Sequence, residues 1–256
     1  MNKNRVDFIS KVYCLDLETT SVEKDNAEII EFSMVSPYGN ATLESLYKSE
    51  KGIPPEVSAI THLVDDDVKD KPVFTKESVE NLQEVLNESV VIAHQKRFDI
   101  EMLGMYGYEV PVSLCSLRMA KKLYSNNETI TAFNLQYLRY ALQLDVDRDL
   151  VAHRATPDAT VVAALLNHIL DVCEERGIID IDEPYLPQIQ YWLEQPIFIE
   201  EMPFGKHKGK KLVDIPLNYW EWALGNMTCL REDETDYDPD FYASVVKVVT
   251  EKVDGH

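Results

Sequence analysis

Residues Val12–Thr20 read VYCLDLETT. The β-rich run Lys11–Leu17 is expected to be a strand. Side chains two apart on a strand project from the same face, so Asp16 and Glu18 stand side by side where an apolar strand ends. Two like charges, half-buried and unpaired, cost several kcal/mol. A positive group therefore belongs there, either Lys/Arg or a metal ion, and an oxygen-only ligand set suits Mg²⁺ or Mn²⁺. A solvated strand end with two free acids is the plainer alternative, because D-x-E also arises by chance.

Working outward, Glu28–Val35 and Ala41–Tyr47 read as two further strands. Tyr38-Gly39-Asn40 is the turn between them, which makes an antiparallel meander. Ser89–Ala93 reads as a short buried strand. Helical spacing is expected over Thr75–Leu86, Phe98–Tyr106, Leu114–Tyr124 and Phe133–Leu142. The clearest helix is Asp158–Cys173, with apolar residues at 159, 162, 163, 166, 169, 170 and 173. Thr156-Pro157 before it reads as an N-cap followed by proline at the first helical position. Hairpin-linked strands mixed with helices favour an α/β sheet covered on both faces.

Two more acidic positions fall at junctions. Asp99 follows the strand ending at Ala93, in the run His94-Gln95-Lys96-Arg97-Phe98-Asp99. Strand-to-helix junctions are where α/β sheets place ligands. Asp158 opens the best helix five residues after His153, and His153 can take a proton at neutral pH. Each acid also has a structural reading, since a carboxylate in a first turn complements the helix dipole. His94 reads equally as a hydrogen-bonded structural residue.

The 256 residues are 45% hydrophobic and 27% charged, ordinary for a globular chain long enough to bury a core. This excludes a disordered protein, a collagen-like fibre and a disulfide miniprotein. No run approaches the ~20 apolar residues of a membrane span, so no membrane partner is expected. Cys14, Cys115, Cys173 and Cys229 form no C-x-x-C pair and suggest neither zinc nor disulfides. The N-terminal stretch lacks the apolar segment of a signal peptide, so a reducing cytoplasm is expected. With 25 Lys and Arg against 45 Asp and Glu, the formal net charge is -20. Bulk charge of this sign argues against nucleic acid, but not at a local groove where cations supply the positive charge.

Past Cys173 the chain becomes acidic and proline-punctuated, and 176–198 reads as a linker or packing arm. A small module is expected over 199–256. Its run Phe204–Pro216 is FGKHKGKKLVDIP, with Lys206, Lys208, Lys210 and Lys211 inside six positions. It is not a P-loop, because Lys211 stands where Ser or Thr is needed. The lysines read either as a phosphate clamp or as a solubilising hairpin. Phe204, Tyr219, Trp220 and Trp222 read as the module's small core. The acidic stretch Glu232–Asp240 reads as a solvated loop.

Taken together, D-x-E on the first strand, F-D after a later strand and H-x-x-x-x-D opening a late helix resemble the DEDDh (DnaQ-like) superfamily of 3′→5′ exonucleases. The resemblance covers about residues 8–175. Pro54–Pro72 (PPEVSAITHLVDDDVKDKP) and the FGKHKGKKL tail are similar to the exodeoxyribonuclease X-like subgroup. The resemblance implies an RNase H-like mixed sheet flanked by helices, an exonuclease domain over 1–175 and a small C-terminal module. It implies that Asp16, Glu18, Asp99 and Asp158 hold two Mg²⁺ or Mn²⁺ ions and that His153 is the general base. It also places Thr19, Thr20 and Ile60, with Leu63 as second choice, against the terminal nucleotide. His94 and, on the clamp reading, Lys206, Lys208 and Lys210 are further candidate substrate contacts. Products would be nucleoside 5′-monophosphates. DNA, as single strands or frayed ends, is favoured over RNA. The competing readings are an exoribonuclease trimming RNA 3′ ends and a proofreading or adaptor module acting through a protein partner.

Overall fold

A computed structural model of the chain describes residues 2–38, 42–234 and 237–254. It forms two compact units, Met1–Gln190 and Tyr191–His256. The first is a mixed five-stranded sheet with helices. It begins with helix α1 (Lys3–Ile9) and runs through β1 (Val12–Thr19), β2 (Ile29–Val35) and β3 (Thr42–Leu46). Helices α2 (Pro55–Thr61), α3 (Asp65–Val68) and α4 (Leu82–Glu88) lead into β4 (Val90–Ala93) and α5 (Arg97–Met105). Then come β5 (Ser113–Cys115), α6 (Ser116–Tyr124), α7 (Leu135–Ala141), α8 (Ala155–Glu175) and α9 (Tyr185–Glu194).

The strand order is β3-β2-β1-β4-β5. β1 pairs antiparallel with β2 and parallel with β4, and β5 continues the parallel half. β1 and β4 therefore end at the same edge of the sheet, the edge where open α/β sheets bind ligands. One face of β1 carries Leu15 and Leu17 into a core with Phe32, Met34, Tyr47, Phe74 and Met102. Phe74 is its hub, edge-on to Tyr47 and Tyr106 with ring centroids 4.8 Å away in each case. α8 packs on β1, β2 and β4. It buries Val161, Val162, Leu165, Leu166, Ile169 and Leu170, which is the apolar stripe expected from its spacing. At its other end the buried Arg5 of α1 bonds Asp171 at 2.5 Å and Glu174 at 2.9 Å.

Several local expectations are corrected. Helix does not start at Thr75. Asn81 takes a left-handed φ of 56°, and α4 runs only from Leu82. Leu114 and Cys115 are strand rather than helix, because β5 pairs with the buried β4. α1 is a further helix, capped by the Asn2 side chain, which accepts Arg5 N–H at 2.8 Å. The cap of α8 is Arg154, not Thr156. Pro157 then stands third in the helix, where a missing N–H costs nothing, since first-turn N–H groups have no intrahelical acceptor. The turn expected at Tyr38-Gly39-Asn40 lies outside the described residues at Gly39 and Asn40, as do Thr235 and Asp236 of the acidic loop. Among the described residues no helix is long and apolar enough to cross a membrane.

The second unit holds helices α10 (Leu217–Asn226) and α11 (Pro239–Asp254). Its core is Met202, Leu212, Ile215, Trp220, Ala223, Phe241 and Val245. The lysine loop is closed by the bridge between Glu201 and Lys211 and by Met202 N–H to Lys210 O at 2.8 Å. Gly205 and Gly209 turn it, with φ of +68° and +77°, a conformation that favours glycine.

Candidate active site

The end of β1 delivers Asp16 and Glu18 opposite the N-terminus of α8, which delivers Asp158. Each of the three can offer a carboxylate oxygen such that all lie within 4.8 Å of one another. A register shift between Glu18 and Thr19 against β2 is the kind of irregularity that re-aims a side chain at a sheet edge. Asp99 stands in the first turn of α5, buried, and lines one cavity of about 410 Å³ with Asp16, Glu18, Thr19, Ile60 and His94. That volume lies within the range of small-molecule sites.

Electrostatically the cluster is frustrated. Burial, then the charges of Asp99, Glu18, Asp158 and Glu31, push the Asp16 carboxyl well above its ordinary range. Glu18 is pushed up to about 8 by burial and by Asp158, Glu31 and Asp99, with Arg154 opposing. Burial raises Asp99 to about 7. Asp158 is raised by burial, against a bond from the His153 backbone. Its two oxygens accept from His153 N–H at 3.0 Å and Gln136 Nε2 at 2.6 Å.

The folded chain thus binds protons more tightly at these acids than the unfolded chain does. Their contribution to stability is complete below the ordinary carboxylate range, near pH 4, and is lost as pH rises through the folded values of about 7 and 8. The metal-free protein is therefore expected to lose several kcal/mol between about pH 5.5 and 8.5. Millimolar Mg²⁺ or Mn²⁺ should raise Tm much more at the higher pH, since carboxylate ligands bind deprotonated. Thermal melts across pH, with and without the ion, check this; a metal effect independent of pH would contradict it.

A second polar layer holds α8 in place. Arg154 grips Glu31 of β2 through Nε at 2.9 Å and Nη2 at 2.8 Å. The same carboxylate accepts Ala155 N–H at 3.0 Å, so a strand residue caps a helix whose own N-cap side chain makes no capping bond. Thr156 adds bonds to Ser33 of β2 at 3.0 Å and Glu44 of β3 at 2.6 Å. Glu31 and Glu18 are register partners, so this clasp fixes the α8 terminus, and with it Asp158, against β1. Arg154→Met strands a buried carboxylate beside other acids. It should cost about 2 kcal/mol in urea unfolding, less than a fully buried pair because Arg154 is partly exposed. A second cavity of about 540 Å³ is lined by Glu31, Glu44, Lys71, Asp149 and Arg154 and contains none of the clustered carboxylates.

Of the other predicted positions, His153 is exposed, with a left-handed φ of 59°. Ile60 on α2 is 51% exposed where it meets the groove, whereas Leu63 is buried in a core with Ile30, Ile53 and Val68. The His94 ring is used at both nitrogens, Nε2 to Phe133 O at 2.8 Å and Nδ1 to Ser116 Oγ at 3.0 Å. Burial lowers its proton affinity. A carbonyl can only accept, so Nε2 carries a proton and donates. Thr19 reaches Ser21 O at 2.8 Å. Thr20 is buried, and its hydroxyl accepts Glu28 N–H at 2.9 Å. Sequence reasoning missed Glu31, Gln136, Arg154 and the groove-lining Phe98. Only the long-range pairing exposes them.

Comparison with known proteins agrees with this geometry. The exonuclease family model of RNase T type matches residues 13–166. The chain belongs to this family of 3′→5′ exonucleases, and its acidic cluster is typical of their metal site. A second model, described as a putative quorum-sensing-regulated virulence factor, matches residues 190–226. DNA polymerase III subunit epsilon of Treponema pallidum (strain Nichols) is 29% identical over 168 residues, 60% of this chain and 74% of that one. Exodeoxyribonuclease 10 of Escherichia coli (strain K12) is 25% identical over 217 residues, 83% and 87% of the two chains. The solved structure of exonuclease X in complex with 5′ overhanging duplex DNA superposes with a TM-score of 0.50 at 22% identity. It covers 64% of this chain and 93% of that chain, and bears on the fold.

Proposed function

We propose that the chain is a 3′→5′ exodeoxyribonuclease that removes nucleoside 5′-monophosphates from single-stranded or frayed DNA ends. The observation that carries this is the convergence of Asp16, Glu18 and Asp158 within 4.8 Å, beside a groove that Asp16 and Glu18 line together with Asp99 and the exposed Ile60. Similarity to an exodeoxyribonuclease over 83% of this chain supports DNA over RNA.

The donor set is all oxygen, and burial together with mutual repulsion raises the proton affinity of its acids. That fits hard divalent cations. Asp16, Glu18, Asp99 and Asp158 would hold two Mg²⁺ or Mn²⁺ ions. When bound, these supply Lewis-acid stabilisation of the phosphate and of the attacking and leaving oxygens. The chain's own residues do the rest. His153 accepts the proton of the attacking water, from a loop whose backbone is tied to Asp158. Ile60 packs on the terminal base, Thr19 lies at the groove floor, and His94 holds the β4–α5 junction in shape. Thr20 acts through the turn it fixes. Residues 1–175 constitute the exonuclease domain, 176–198 the connecting arm containing α9, and 199–256 a module whose Lys206, Lys208 and Lys210 contact the strand.

The test is digestion of 5′-labelled single-stranded DNA and matched RNA with Mg²⁺, Mn²⁺ or EDTA. A ladder shortening from the 3′ end on DNA, absent in EDTA, is the expected result. A ladder on RNA alone would transfer the substrate to RNA, and no cleavage of either would overturn the reading.

A further inference from the structure

The C-terminal unit contains a second chemistry that the carboxylate groove does not use. Trp220 and Trp222 are two residues apart on α10, and at 3.6 residues per turn they point to nearly opposite sides. The structure corrects the expectation that both build the core. Trp220 is buried, while Trp222 is 53% exposed. Tyr219, one turn before Trp222 on the same side, lies 5.6 Å from it between ring centroids. The lysine loop closes over Tyr219. The His207 ring meets Tyr219 edge-on at 4.6 Å, and Lys206 Nζ lies 5.5 Å from the Tyr219 centroid. Lys206, Lys208, Lys210 and Lys211 are all exposed. Among the described residues none of the four makes an ion pair. In a chain of net charge -20, uncompensated lysines beside an open indole form a local exception.

We propose that Lys206, His207, Tyr219 and Trp222 form a binding site for single-stranded nucleic acid, in which a base stacks on Trp222 and the lysines take the flanking phosphates. An acidic peptide would satisfy the ammonium groups but leave the aromatic face without a partner. A single strand satisfies both, because every base has a stacking face and every linkage a charge. This deepens the exonuclease reading by giving the strand a second hold remote in sequence from the cluster, and it rests on the substrate being a polynucleotide.

The experiment uses the full-length chain carrying Asp16→Asn, so that the strand survives, with a labelled oligothymidylate read by anisotropy over a range of salt. Trp222→Ala is expected to weaken binding about tenfold, and Trp222→Phe, which keeps a ring, to restore most of it. Lys206→Gln with Lys208→Gln should flatten the dependence of log K on log salt by about 1.4. Unchanged affinity in the Trp222→Ala and double-Gln variants overturns the proposal. Turnover of a single-nucleotide nitrophenyl ester by the wild-type chain reads the carboxylate groove alone. Its failure would count against the exonuclease reading and leave the binding result standing.

Discussion

Replacing Asp16 by Asn is expected to abolish hydrolysis and, in the same molecule, to make the metal-free protein more heat-stable. The two effects share one cause. Asp16 is half-buried, and desolvation together with the charges of Asp99, Glu18, Asp158 and Glu31 holds its carboxyl well above the ordinary range. Unfolding releases it to ionise freely, so above pH 4 each step in pH favours the unfolded chain. An amide has nearly the same shape and no charge in either state, so it escapes that loss. The gain should be on the order of 1–2 kcal/mol near pH 8, or about 3–6 °C in Tm. Activity should fall at least about 10³-fold, because a lost metal ligand forfeits several kcal/mol of transition-state stabilisation. Melts in EDTA and initial rates in Mg²⁺ measure the two sides. A variant that is both less stable and still active would refute the assignment of Asp16. Such a trade of stability for activity is common at sites that gather like charges.

The second large effect belongs to His153. Its ring is exposed, and its backbone N–H is held by Asp158 at 3.0 Å, so truncating the side chain leaves the bond and the fold intact. His153→Ala should lower kcat by about 10²-fold or more with little change in KM, the signature of a group that acts on the proton in the transition state. The exposed position also leaves room for a small base to replace the ring. Imidazole added to the Ala variant should recover part of the rate, whereas the same addition should do nothing for Asp16→Asn. Equal losses in kcat and affinity, with no rescue, would make His153 a structural residue.

The order of the acids along the chain was legible at once. Alternation on β1 placed Asp16 and Glu18 on one face, and the H-x-x-x-x-D spacing put Asp158 at the start of α8. Each of these is a local relation, set by a period of two or of 3.6 residues. The same local rules failed where pairing overrode propensity. Leu114 and Cys115 suit a helix face but complete the sheet beside β4, and the left-handed Asn81 delays α4. The two tryptophans of α10 were legible as aromatic, but which of them is buried was not, because that depends on which side of the helix Phe241 and Val245 cover.

The sequence by itself therefore determined the class of chemistry, since the residue types and their spacings specify which carboxylates share a face and which open a helix. Only the tertiary structure decided the neighbours that make the site work. Glu31 reaches across 123 positions to hold Arg154 and cap α8, and Gln136 reaches across 22 to orient Asp158. Such partners are selected by how the whole chain buries its apolar faces, and only that burial draws the mutually repelling Asp16, Glu18 and Asp158 within reach of one another.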